Sequence, residues 1–137
     1  MERKLILDTP LASIYSIPEH SLIIIDFKDI KYIEEETLKK QALNSARFIQ
    51  ENGIKNVIYN TSKFQSVFSV DYQKWVVENI NKNLLQILDK IAVIEPKNLI
   101  TSLSFEQYIS ENLKIPVKAK IAFFKEEEKA LDWILKK

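Results

Sequence analysis

The residues best suited to chemistry lie in one short stretch, VIYNTSKFQSVFSVDYQKW, at positions 57–75. Its hydroxyl and amide side chains fall between a run of strand character and a run of helical character. Such side chains can cap a helix, and a serine there can also accept a phosphoryl group, whose negative charge suits the positive end of the helix dipole. The candidate site residues are Asn60, Ser62, Ser66, Ser69 and Asp71.

Ser69 is predicted first of all to cap a helix. It directly precedes Val70 and Asp71, where helical spacing begins. A serine hydroxyl at this position accepts a hydrogen bond from an unpaired backbone N–H, which is worth about 1 kcal/mol. Asp71 adds negative charge in the first turn. The cap explains Ser69 without further chemistry, and a phosphorylated switch is the second interpretation.

The single histidine, His20, limits the catalytic sites that can be assembled. A Ser-His-Asp relay or a histidine metal site would have to use it, because the sequence contains no other imidazole. It lies in the turn-like segment PEHS, so we expect an exposed loop residue. The sequence has no cysteine, which excludes disulfides, thiolate metal sites and thiol catalysis and is typical of a reducing compartment.

The acidic runs and the scarcity of glycine also argue against catalysis. Glutamates 34–36 and 126–128 occur where helices are expected to begin, and the helix dipole explains them there. Gly53 is the only glycine, whereas phosphate-binding loops of the Walker or Rossmann type need several. We therefore expect no cofactor, no metal and no enzymatic activity, although chemistry based on carboxylates or lysine stays open.

These residues must be positioned by a mixed sheet covered with helices. Three segments rich in Ile, Leu and Tyr are separated by short proline-containing turns, which permit only antiparallel pairing. Short apolar strands then alternate with helices, which is typical of parallel crossovers. The expected strands are 4–9, 11–17, 21–27, 56–59, 90–95 and 118–124, and the expected helices are 34–52, 70–88, 98–113 and 125–137. The third helix has a capping-box pattern at Ser104 that could divide it, and the whole chain, 1–137, is expected to form one domain.

Four aromatic residues could form a platform for a ligand or for nucleic-acid bases. They are Tyr72, Trp75, Tyr108 and Trp133. Each lies in an expected helix beside aliphatic residues, where aromatic side chains usually complete the core. We favour packing in the core or at its edge.

Charge and hydropathy narrow the classes of partner. Twenty basic and nineteen acidic residues give a net charge of +1, so no overall field attracts nucleic acid. The most apolar segment, at 22–25, is far too short to span a bilayer. The N-terminal apolar segment is interrupted by Asp8 and Pro10, which argues against a signal peptide. We expect a cytoplasmic protein.

The order of elements resembles the SpoIIAA-like superfamily, which includes the STAS domains of anti-sigma factor antagonists and the lipid-binding CRAL-TRIO domains. A closer likeness is to small SpoIIAA-like proteins of Bacteroidetes-type bacteria, carried by YNTSKFQSVFSVDYQKWVVENI, KIAVIEPKN, SLSFEQYISE and EEEKALDWILKK. In STAS antagonists, a serine that follows an aspartate at the start of the second helix is phosphorylated. The resemblance implies Ser69 as the counterpart, with Ser66 as the alternative. Phe68 stands where that aspartate would be, and Val70 stands where a second serine is usual.

Two functions follow as hypotheses. The first is a non-enzymatic regulatory domain that binds a protein partner through residues 60–69 and the first turn of the next helix. The alternative, which the CRAL-TRIO resemblance implies, is a carrier with an apolar pocket for a small, lipid-like ligand. A homodimer, formed through a sheet edge or through the last helix with Trp133, is also open.

Overall fold

The computed structural model describes residues 2–66, 68–112, 114 and 117–136. Within them lies a six-stranded sheet whose spatial order follows the order of the chain. The strands are β1 (Lys4–Asp8), β2 (Ala12–Ile17), β3 (Leu22–Phe27), β4 (Asn56–Asn60), β5 (Lys90–Ile94) and β6 (Lys120–Phe124).

The sheet changes from antiparallel to parallel at β3. Strands β1, β2 and β3 pair antiparallel, because the connections between them are too short for a crossover. Each pair from β3 to β6 is parallel, and a helical connection links the members of each pair. The predicted α/β class with a mixed sheet is therefore confirmed.

The described part of the chain contains four helical segments, as the sequence predicts. The first is α1 (Glu35–Glu51). The second is a continuous run made of α2 (Val70–Val76), a π-helical turn (Val77–Asn81) and α3 (Lys82–Ile87). The third and fourth are α4 (Leu99–Asn112) and α5 (Glu127–Leu135). The break considered in α4 does not occur. Ser104 instead lies inside one helix, and its hydroxyl accepts a hydrogen bond from the Phe68 backbone N–H at 2.9 Å.

The helices cover the two faces of the sheet unequally. Successive right-handed crossovers return to the same side of a sheet, so α1, α2, α3 and α4 share one face. The side chains of β3 alternate between the two faces of the sheet. Ile23 and Ile25 pack in the core on the face that these helices cover. Leu22 and Ile24 pack on the other face with Ala130 and Ile134 of α5. The larger core therefore lies between the sheet and the first three helical segments.

The ends of α1 and α5 are stabilised by identifiable groups. After α1, Gly53 has φ of 61°, and the Ile54 N–H donates to the Ile49 carbonyl at 3.1 Å, which is a Schellman-type ending. At the end of α5, the Lys90 ammonium donates to the carbonyls of Trp133, Ile134 and Lys136. A lysine from β5 thus supplies cationic stabilisation at this helix terminus.

Candidate functional site

Ser69 is the N-cap of α2, as its position in the sequence predicts. Its hydroxyl oxygen accepts a hydrogen bond from the Tyr72 backbone N–H at 3.0 Å. The same hydroxyl donates to a carboxylate oxygen of Glu35 in the first turn of α1. Asp71 lies exposed in the first turn of α2. Ser69 therefore both begins α2 and ties it to α1.

Asn60 and Ser62 form a separate group at the end of β4. The Asn60 side-chain carbonyl accepts hydrogen bonds from the Ser62 backbone N–H at 3.1 Å and from the Ser62 hydroxyl at 2.7 Å. The Asn60 amide nitrogen donates to Glu127 of α5 at 3.2 Å, and Glu127 also pairs with Arg3. These contacts fix the turn after β4 against the start of α5.

The five candidate residues do not converge on one site. Asn60 contacts α5 on one face of the sheet, whereas Ser69 contacts α1, which covers the opposite face. Ser66 lies between them in the chain and is buried, with 6% of its surface exposed. Both ends of the turn therefore hold helices in place, Asn60 through α5 and Ser69 through α1. Phosphorylation of the turn stays a prediction.

His20 occupies an exposed position in the 3₁₀ turn Pro18–His20. Its backbone carbonyl accepts a hydrogen bond from the Asn56 side chain at 3.0 Å. The expected exposed loop histidine is confirmed. No group of three or more His, Cys, Asp or Glu side chains suited to a metal ion occurs among the described residues.

A cavity of about 110 Å³ lies in the larger core, between the sheet and α1, the α2–α3 run and α4. Most of its lining is aliphatic or aromatic. Residues of β4 and β5 form its floor, and Phe68, Tyr108 and Ile109 at its edge are only partly buried. The cavity therefore approaches the surface beside α4. An engineered cavity of about 150 Å³ binds benzene, which sets the scale of a ligand.

One wall of the cavity is a series of aromatic rings. Phe64 lies 5.4 Å from Phe27 and 5.6 Å from Phe68 between ring centroids. Phe68 in turn lies 5.4 Å from Tyr72 and 5.0 Å from Tyr108. The preference for core or core-edge packing is confirmed for the four predicted aromatic residues, which pack in or against the two core clusters. Tyr72 and Tyr108 also face the cavity, which that prediction did not include.

A few polar groups are set into this apolar lining. Gln41 donates to the Ser45 hydroxyl at 3.4 Å and accepts from the Thr9 hydroxyl at 3.2 Å. The Asn81 amide donates to the Tyr108 hydroxyl at 3.4 Å. Burial raises the pKa of both Tyr59 and Tyr72, and the neighbouring Tyr108 phenol raises both further. These phenols therefore stay neutral and able to donate hydrogen bonds at physiological pH.

The π-helical turn helps to shape the cavity. Single π turns inside α-helices often occur at functional sites, because the extra residue redirects the side chains that follow. Here the turn ends at Ile80 and Asn81, which both line the cavity. The sequence signal was a polar Asn81 beside the buried positions Ile80 and Leu84, and sequence reasoning missed it.

A second depression, of about 250 Å³, lies between α4 and the ends of β5 and β6. Its lining includes the carboxylates of Glu95 and Glu106, both of which are exposed, and it shares Ile109 with the first cavity. Because exposed charged groups line it, this depression offers an apolar molecule much less burial than the core cavity.

None of the helices in the described part of the chain combines the length and the apolar character needed to cross a membrane. Comparison of the chain with protein-family models, with curated proteins and with solved structures finds no match. The SpoIIAA-like resemblance therefore stays a prediction.

Proposed function

We propose that this protein binds a small, largely apolar molecule in the cavity between the sheet and its larger layer of helices. The observation that carries the proposal is the void of about 110 Å³ in the core. Protein interiors are normally packed as densely as organic crystals, with few voids larger than a water molecule. A mostly apolar lining with a few polar groups set into it is typical of a ligand-binding site.

Filling the cavity with an apolar molecule is energetically favourable. Side chains around an empty space lose dispersion contacts that a ligand of matching shape would restore. Burial removes apolar ligand surface from water and contributes roughly 25 cal/mol for each Å². Tyr72 and Ile80 come from the α2–α3 run and Ile91 comes from β5, so a ligand would also link these elements and stabilise the folded state.

Titration with toluene, followed by amide NMR spectra, tests this proposal. We expect saturable shifts at residues of α1, β4 and the π-helical turn. Ala42 lines the cavity, so the Ala42→Leu variant should give much smaller shifts because the added side chain occupies the space. Shifts of equal size in both proteins, or shifts confined to exposed residues, would contradict the proposal.

A protein partner is the second candidate, and the surface at the start of α2 favours it. Val70 is 52% exposed there, although it is apolar, and Ser69 beside it is also exposed. In Ser69→Asp, a carboxylate would face Glu35, so like charges would replace the hydrogen bond between α1 and α2. Partner capture should fall in this variant and should not change in Ser110→Asp, which alters an exposed serine of α4.

We further propose that the fold is of the SpoIIAA-like type. The support is the arrangement of elements: an antiparallel start, three parallel pairings in sequence order, and a last helix on the face opposite the others. An experimentally determined structure that superposes on STAS domains would support this proposal. A different strand order would contradict it.

A further inference from the structure

The side chains that line the core cavity exclude a charged ligand group. They include aliphatic, aromatic, amide and hydroxyl groups, and no carboxylate, ammonium or guanidinium lines the cavity among the described residues. A charge moved from water into such surroundings without a partner is strongly disfavoured. The occupant of this cavity should therefore be uncharged where it is buried.

Two phenol groups in the lining offer unused hydrogen-bond donors. Tyr59 of β4 and Tyr72 of α2 both face the cavity, and only 6% of the Tyr72 surface is exposed. The described residues form no hydrogen bond with either hydroxyl. Tyr59 is only partly buried and both phenols line the cavity, so their O–H groups are donors available to an acceptor on a ligand.

The other polar groups of the lining already have partners within the protein. Gln41 is bonded to Thr9 and Ser45, and Asn81 is bonded to Tyr108. The phenol O–H groups of Tyr59 and Tyr72 are therefore donors that a ligand can use. A group that only accepts, such as a carbonyl, ether or nitrile, matches donors of this kind.

The aromatic wall adds a preference for shape. The centroid distances of 5.0 to 5.6 Å among Phe64, Phe68, Tyr72 and Tyr108 are those of packed rings. A flat ring in the cavity can join this series by offset stacking or by an edge contact. Aromatic pairs of this kind add to the gain from area burial alone.

From these observations we propose that the ligand is an uncharged ring compound with a hydrogen-bond acceptor, and that Tyr59 and Tyr72 donate to that acceptor. This inference rests on the proposed function and makes it chemically specific. The ring would lie against the aromatic wall. The acceptor would point toward the two phenols.

Three probes with the same number of non-hydrogen atoms test the ligand class. Phenylacetylene has no strong acceptor, benzonitrile has a neutral acceptor, and benzylammonium carries a charge. Dissociation constants from NMR titration are compared for the wild type, for the double variant Tyr59→Phe/Tyr72→Phe and for the control Tyr15→Phe. Tyr15 packs against the core cluster on the opposite face. Each variant keeps its aromatic ring, so the packing of the core is retained.

We expect the double variant to bind benzonitrile about threefold to tenfold more weakly, as the loss of a neutral hydrogen bond implies. Its affinity for phenylacetylene should be unchanged or higher, the control should match the wild type, and benzylammonium should bind at least about tenfold more weakly than benzonitrile. Equal effects of the double variant on both neutral probes would overturn the ligand class while leaving the proposed function standing. Failure of all three probes to bind the wild type would overturn both.

Discussion

Filling the cavity should stabilise the protein. Ala42 lies in α1 and lines the cavity, and Ala42→Leu would direct additional carbon atoms into it. At about 24 cal/mol for each Å³ of void, a cavity of about 110 Å³ corresponds to at most about 2.6 kcal/mol. Leucine fills part of this volume and loses rotamer freedom, so we expect the free energy of unfolding to rise by roughly 1 to 2 kcal/mol.

The same substitution in α5 provides a matched control. Ala130 is 0% exposed and packs in a cluster that includes Ala92 of β5, and it lines neither of the two cavities described above. Ala130→Leu should therefore lower the free energy of unfolding by roughly 1 to 3 kcal/mol. Urea denaturation followed by circular dichroism measures both variants, and the slope of free energy against urea should not change between them.

The sign of the change in unfolding free energy of Ala42→Leu tests whether the cavity exists in solution. If Ala42→Leu loses as much stability as Ala130→Leu, then α1 packs closely on the sheet and the void does not exist in solution. A stabilised Ala42→Leu that still shifts with toluene would show that the ligand binds elsewhere.

Three further predictions concern the cap, the buried phenols and the glycine. Ser69→Ala should lower the free energy of unfolding by about 1 kcal/mol through loss of the N-cap bond, whereas the exposed Ser110→Ala should change it little in the same urea experiment. Burial raises the pKa of Tyr59 above its ordinary value of 10.0. The contribution of the neutral phenol to the free energy of unfolding is therefore complete below about pH 10. Above that pH, the tyrosine of the unfolded chain loses its proton before that of the folded chain. Stability should then fall by about 1.4 kcal/mol for each pH unit per buried tyrosine; urea melts from about pH 9 to about pH 11 should show a smaller fall in Tyr59→Phe but not in the control Tyr32→Phe, whose residue is 80% exposed. Gly53→Ala should lower the thermal midpoint, at a cost of about 1 kcal/mol, because the φ of 61° at this position is unfavourable for alanine. No atom lies within 4 Å of the added Cβ, so the backbone conformation alone causes this cost. An unchanged midpoint would show that the turn relaxes.

The local parts of the structure could be predicted because short-range patterns determine them. Ser69 caps α2 and Gly53 ends α1 because each acts through its own backbone neighbours. The order of strands and helices follows from apolar spacing and from the lengths of the connections. The chain therefore specifies the α/β class and the helix ends within a few residues.

The cavity could not be predicted, because it depends on contacts between distant segments. Tyr59 and Tyr72 are close in the sequence but reach the cavity from β4 and α2, which contribute its floor and its aromatic wall. Asn60 and Ser69 belong to one turn, yet they contact helices on opposite faces of the sheet. The π-helical turn adds a residue that no 3.6-residue period indicates. Such features arise from packing rather than from local propensity.

A crystal of the protein held under xenon pressure tests the central claim most directly, since xenon enters apolar cavities of this size. We expect a single strong xenon peak between β4 and α1, within contact distance of Tyr72 and Ile80. A core that contains no xenon, with the side chains closed over that space, would contradict it.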